Sequence, residues 1–157
     1  MRILQPLLCL ALFTSVAAVN AQEHCAKGNY DIVTHVNGIV PPGRMAPLVD
    51  SVKMIDTIMP DGNRLVVMKG TRLAGTRVGI HIHAYGGHTC VMSGVITDFV
   101  EGHDPGLFPK DTCYYMPPNT YMTAANLGSE DAVLIDTFIV PPGKDFIQIV
   151  ETCDVDN

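Results

Sequence analysis

Gly75-Thr76-Arg77-Val78-Gly79-Ile80-His81-Ile82-His83-Ala84-Tyr85-Gly86-Gly87-His88-Thr89-Cys90-Val91-Met92-Ser93-Gly94 is the stretch on which the reading of this chain turns. His81 and His83 stand two apart, so on a β-strand both project from one face while Ile80 and Ile82 project from the other. Two imidazoles side by side on a strand make half of a metal site. The glycines at 86 and 87 form a corner, and the pattern continues into a second β-like run.

Working outward, the chain reads as a series of short strands between turn signals. Tyr30 to Val36, Ser51 to Met59, Asn63 to Thr71, Arg77 to His83 and His88 to Val100, the last with a bend near Gly94, are rich in apolar and β-branched residues. Thr112 to Met116, Tyr121 to Ala125, Ala132 to Val140 and Asp145 to Val150 follow. Pro41-Pro42-Gly43, Pro60-Asp61-Gly62, Pro117-Pro118-Asn119 and Pro141-Pro142-Gly143 punctuate them. No segment keeps a helical period over ten or more residues. Many short strands at close spacing predict an all-β sandwich or barrel.

The spacing of the first stretch is a glycine, five residues, His81-x-His83, three residues, the position of Gly87, six residues and Gly94. A second stretch runs Asp111, five residues, Pro117-Pro118-Asn119, two residues, Met122, three residues, Asn126. Together these resemble the two motifs of the cupin superfamily, over roughly Arg64 to Gly143. The resemblance implies a cupin-type double-stranded β-helix, a jelly-roll barrel with its site inside. It implies that two histidines, a glutamate and a third histidine hold one divalent metal. Only His81 and His83 match that set. Gly87 stands at the glutamate position and Met122 at the third histidine position.

A bulge at Gly86-Gly87 would re-aim His88 inward, giving His81, His83, His88 and Met122 as the candidate ligands. Three imidazoles and a thioether are soft and uncharged, and favour copper over magnesium or calcium. The competing readings are hydrogen-bonded strand histidines with no metal, an outer-face His88 and a core Met122 that plugs the barrel. The leading expectation is a transition-metal-binding barrel. The first alternative is a metal-free barrel for a small-molecule ligand, and the second is a metalloenzyme of dioxygenase or isomerase type. There is no Gly-x-Ser-x-Gly elbow, phosphate-cradling glycine loop or His-Glu-x-x-His, and no catalytic residue is nominated. Asn126 is expected to tie a turn, and the tyrosines at 85, 114, 115 and 121 to be ordinary strand residues.

Arg2 followed by an apolar run and Val19-x-Ala21 reads as a signal peptide over residues 1–21, removed before Gln22. The protein is therefore expected in the periplasm or outside the cell, with no membrane span. Residues 22–60 read as an N-terminal extension with short strands and 61–157 as the barrel, in one compact domain. The net charge is −6, and losing Arg2 makes it more negative. With no Lys/Arg cluster, nucleic acid is not an expected partner. Val78, Ile80 and Ile82, opposite the histidines, call for a cover from residues 22–60 or from a second copy in a homodimer.

Four cysteines follow the leader: Cys25, Cys90, Cys113 and Cys153. An even number in an exported chain points to disulfides, with three pairings open. The jelly roll that the resemblance implies makes the strands of Cys90 and Cys113 neighbours, so these two are expected to be joined. Cys25 and Cys153, near the mature ends, are the second expected pair.

Overall fold

A computed structural model describes residues 32–151. The signal peptide expected over residues 1–21, Cys25 and Cys153 lie outside the described residues. The described chain is built from twelve strands: β1 Arg44–Met45, β2 Val49–Ile58, β3 Arg64–Arg72, β4 Thr76–Arg77, β5 His81–Ile82, β6 Gly87–Ser93, β7 Val95–Val100, β8 Gly106–Pro109, β9 Thr112–Met116, β10 Met122–Ala125, β11 Ala132–Val140 and β12 Gln148–Ile149.

They form two sheets. One has the order β2-β3-β11-β6-β9. In the other, β10 pairs with β4 and β5 on one side and with β7 on the other; β1 flanks β4, β12 flanks β5 and β8 flanks β7. The bend expected at Gly94 is where the chain passes from one sheet to the other. Its φ is 73°, and a Cβ there would stand 2.8 Å from Ala132 Cα. Both facts require glycine.

Alternation places the barrel core. Val66, Val91, Ile96, Tyr114, Met116, Met122, Leu134, Phe138 and Val140 are buried between the sheets. Along β11, Ala132, Leu134, Asp136, Phe138 and Val140 share the inner face, two residues apart.

The histidine strand departs from the expected run of Arg77 to His83. It is broken into β4 and β5, because the chain shifts phase at Gly79-Ile80. Val78 and His81, three apart, both line the barrel interior, whereas Ile80 points outward and is fully buried. Gly79 allows this: a Cβ there would lie 2.9 Å from Met45 Sδ and 3.0 Å from Ile149 Cγ2. The shift is fixed from outside by Glu151. Its carboxylate accepts the Ile80 amide at 2.8 Å and pairs with both terminal nitrogens of Arg77, and both side chains are buried.

Ile80 belongs to a second apolar cluster with Val36, Phe99, Ala125 and Val150, against which Val33 packs. The N-terminal segment therefore supplies part of the cover that the sequence called for. The strand expected up to Val36 does not form over its described part. Residues 32–35 are irregular, Val33 donates its amide to the Val150 carbonyl, and Val36 makes an isolated bridge with Ile39. The turn chemistry that starts at Gly38, with its φ of 75°, cuts it short.

Candidate functional site

Both histidines are aimed by backbone carbonyls. His81 Nδ1 lies 2.8 Å from the Gly79 oxygen, and His83 Nδ1 bonds the Phe146 oxygen just before β12. A carbonyl only accepts, so each Nδ1 carries the proton and each Nε2 presents a lone pair. The rings are edge to face with centroids 4.8 Å apart. His83 Nε2 is buried and has no hydrogen-bond partner among the described residues. Burial, and then the neighbouring His83, lowers His81 to about 3; burial lowers His83 as well. Both rings are therefore neutral at physiological pH.

The corner after His83 is tied to the second motif. The His83 carbonyl accepts from the Asn119 amide at 2.9 Å, and Asn119 has a φ of 53°, a left-handed conformation that asparagine tolerates. Met122 is buried, lines the interior and sits opposite His81 in the β10–β5 register. Asn126 ties a turn as expected: its Nδ2 donates to the Arg72 and Glu130 carbonyls and its Oδ1 accepts from the Gly128 amide.

His88 requires a correction. No bulge re-aims it: Gly87 and His88 pair in regular register with Met116 and Tyr115. His88 is exposed on the outer face, away from His81 and His83. The glutamate position is also closed. A Cβ on Gly87 would meet Phe138 Cδ1 at 2.7 Å and Met116 Cε at 3.0 Å. The Phe138 ring stacks on His83, centroids 5.0 Å apart, and on Phe146 at 4.8 Å.

Cys90 and Cys113 are joined, with an S–S distance of 2.06 Å. They face each other in the β6–β9 register, which brings their Cα atoms to 4.0 Å, closer than the 5.5–6 Å usual for a disulfide. The bond lies on the outer face, since the adjacent Thr89 and Tyr114 point inward. It also removes these two thiolates from the candidate metal ligands.

A cavity of about 290 Å³ lies beside the histidines, between the sheets. Sequence reasoning missed much of its polar lining: Arg72, Asp98 and Asp136. The signal was parity. Asp136 shares the inner face of β11 with Leu134 and Phe138, Asp98 that of β7 with Ile96 and Val100, and Arg72 that of β3 with Val66 and Met68. Asp136, Thr89 and Tyr114 form a row across β11, β6 and β9, and the Thr89 hydroxyl donates to Asp136 at 2.6 Å. Burial pushes Asp98 up to about 7 and raises Asp136 and Tyr114. Tyr114 is buried here, whereas Tyr85, Tyr115 and Tyr121 are exposed.

No protein-family model matches the chain, and no curated protein does. Among solved structures it is similar to an uncharacterized conserved protein with a double-stranded β-helix domain from Klebsiella pneumoniae. The identity is 16%, the TM-score 0.51, and the match covers 87% of this chain and 98% of that one. It is also similar to a cupin 2 conserved barrel domain protein from Salinispora arenicola, at 15% identity and TM-score 0.49 over 59% of this chain and 75% of that one. An oxalate oxidase matches at 15% identity and TM-score 0.49 over 55% of this chain, which spans only 46% of that one. At these identities the likeness is one of fold. Two facing sheets and the likeness to the Klebsiella pneumoniae protein agree: the described residues fold as a double-stranded β-helix.

Proposed function

We propose that the barrel binds a soft transition-metal ion, copper before others, through His81 Nε2 and His83 Nε2, with the Met122 thioether as a third donor. The observation that carries this reading is the His83 ring. Its Nδ1–H is committed to the Phe146 carbonyl, which leaves Nε2 as a buried acceptor with no partner. A buried acceptor left unpaired costs free energy, and a metal ion removes that cost. A carbonyl behind Nδ1 is also the arrangement that orients a metal-binding imidazole and fixes its tautomer. Burial keeps both rings unprotonated and ready to ligate.

The donor set decides the metal. Among the described residues no three His, Cys, Asp or Glu side chains are grouped to hold one ion. Phe138 fills the space a carboxylate at position 87 would need. Two imidazoles and a thioether suit copper, especially Cu(I), better than manganese or iron. The metal-free small-molecule reading is favoured by a separate observation, the cavity beside the histidines. Export is part of the proposal: the Cys90–Cys113 bond supports an oxidising compartment, and the leader supplies the route.

Titration of untagged protein with Cu(I), in competition with a coloured chelator, tests the metal. About one ion per chain is expected. His81→Ala with His83→Ala should abolish binding, and Met122→Ala should weaken it. Copper affinity unchanged by the double substitution overturns the metal reading and leaves the metal-free one.

A further inference from the structure

The cavity holds a buried cation that the metal reading does not use. Arg72 ends β3 on the inner face and is 4% exposed. One terminal nitrogen, Nη1, donates to the Ala46 carbonyl. Its Nε is buried and has no partner. No carboxylate among the described residues lies within salt-bridge distance of the guanidinium, although Arg77, on the outside of the other sheet, has a bidentate partner in Glu151. Tyr114 and Asp136 are the acidic groups whose charge reaches Arg72, and the short hydrogen bond of Asp136 is to Thr89. Burial pulls the guanidinium below its ordinary pKa, which marks a charge incompletely compensated within the protein.

A guanidinium out of water is costly unless an anion meets it. Its planar fork fits a carboxylate through two parallel hydrogen bonds. We propose that the barrel cavity binds a small organic carboxylate, with Arg72 as the anchor of the carboxylate group and the wall around Phe138 and Phe146 holding an apolar body.

Size and wall chemistry agree with that class. At about 290 Å³ the cavity is at the lower end of small-molecule sites, which run from about 300 Å³ upward. In the β3–β11 and β6–β11 registers Arg72 stands beside Ala132, whereas Phe138 lies six residues further along β11. The Asp136–Thr89–Tyr114 row falls between these two ends. A ligand anchored at Arg72 therefore runs past hydroxyl and carboxyl groups toward the stacked rings beside His83. Arg72 also pins Ala46, and Pro47 and Leu48, which follow it, line the same cavity. The anchor and the segment over the cavity are thus joined at one side chain. The inference goes beyond the metal reading and holds with or without a metal.

The test is calorimetric titration of the full mature protein with benzoate and 3-methylbutanoate, against benzamide, 3-methylbutanamide and benzylamine. Each is run on chelator-treated and on copper-loaded protein. The acids are expected to bind in both forms and the amides and the amine to fail. Arg72→Lys keeps a cation and removes the fork, and should weaken the acids about tenfold or more. Arg72→Met, checked for folding by circular dichroism, should remove binding. Amides that bind as well as acids, an amine that binds better, or acids that bind only copper-loaded protein and ignore Arg72→Lys would each overturn the proposal. Failure of copper to bind, with the acids still held through Arg72, would remove the metal reading alone.

Discussion

Gly87 and Phe138 compete for one space: a Cβ on Gly87 would stand 2.7 Å from Phe138 Cδ1. The two strands pair directly through β6 and β11, so neither backbone can retreat. The φ of Gly87 is not left-handed, which makes the constraint one of packing alone. Gly87→Ala should cost about 1–3 kcal/mol through overpacking. Phe138→Leu in the same chain should recover part of that loss. A double-mutant cycle in urea denaturation measures the coupling, and additive effects would contradict the shared space.

The Arg77–Glu151 pair is buried and bidentate, and Glu151 also holds the Ile80 amide. Glu151→Ala leaves a buried cation and an unpaired amide, with an expected loss of about 3–5 kcal/mol. Arg77→Met with Glu151→Leu should lose much less than the single change. Thermal unfolding of the two variants compares them. Because Glu151 fixes the phase shift that aims His81, copper affinity should fall in Glu151→Ala more than in Gly87→Ala.

Asp98 sets a pH dependence. Burial pushes its carboxyl up to about 7 from 3.8. In the unfolded chain it ionises near its ordinary value, about 4. Between the two values the unfolded chain has released a proton that the folded chain keeps. The Asp98 contribution to stability therefore falls as pH rises from about 4 to about 7, and is level above that. At about 1.4 kcal/mol per pKa unit the full effect is a few kcal/mol. Asp98→Asn removes this slope, so the variant should gain on the wild type between about pH 4 and pH 7. Urea denaturation at both ends of that window checks it; a constant difference would contradict the assignment.

The Cys90–Cys113 bond closes a loop of sequence separation 23. In the chain-entropy model its removal costs about 3 kcal/mol. Cys90→Ala with Cys113→Ala should lower the urea midpoint accordingly, and reduction of the wild type should reproduce that shift. Ligand and copper affinities should stay unchanged, because the bond lies on the outer face.

The fold was legible because turn residues and period-two alternation act locally. Prolines and glycines marked the strand ends, and the spacing around His81, His83, Asn119 and Asn126 carried the topology. The site was legible only in part. The Gly79-Ile80 phase shift depends on Glu151, far along the chain, so the sequence predicted one unbroken strand. The His88 bulge was allowed by Gly86-Gly87, but the β6–β9 register excludes it. Arg72, Asp98 and Asp136 could have been placed inside by parity, yet their effect on one another depends on which strands face across the barrel. The leader, the Cys25–Cys153 pair and the homodimer remain expectations from the sequence.

The central position of β11 has a consequence for how the barrel is assembled. β11 lies between β3 and β6 and pairs with both along most of its length. The β2–β3 and β6–β9 pairs are closer in sequence, and the second is stapled by Cys90–Cys113. Contacts between distant segments form late, because loop-closure entropy opposes them. Until residue 140 is available, two ribbons wait with open edges, and β3 offers Leu65, Val66, Val67 and Met68 to any other unpaired strand. β11 is the keystone: a chain that lacks it, or a substitution that slows its docking, exposes both ribbons to intermolecular pairing before the interior exists.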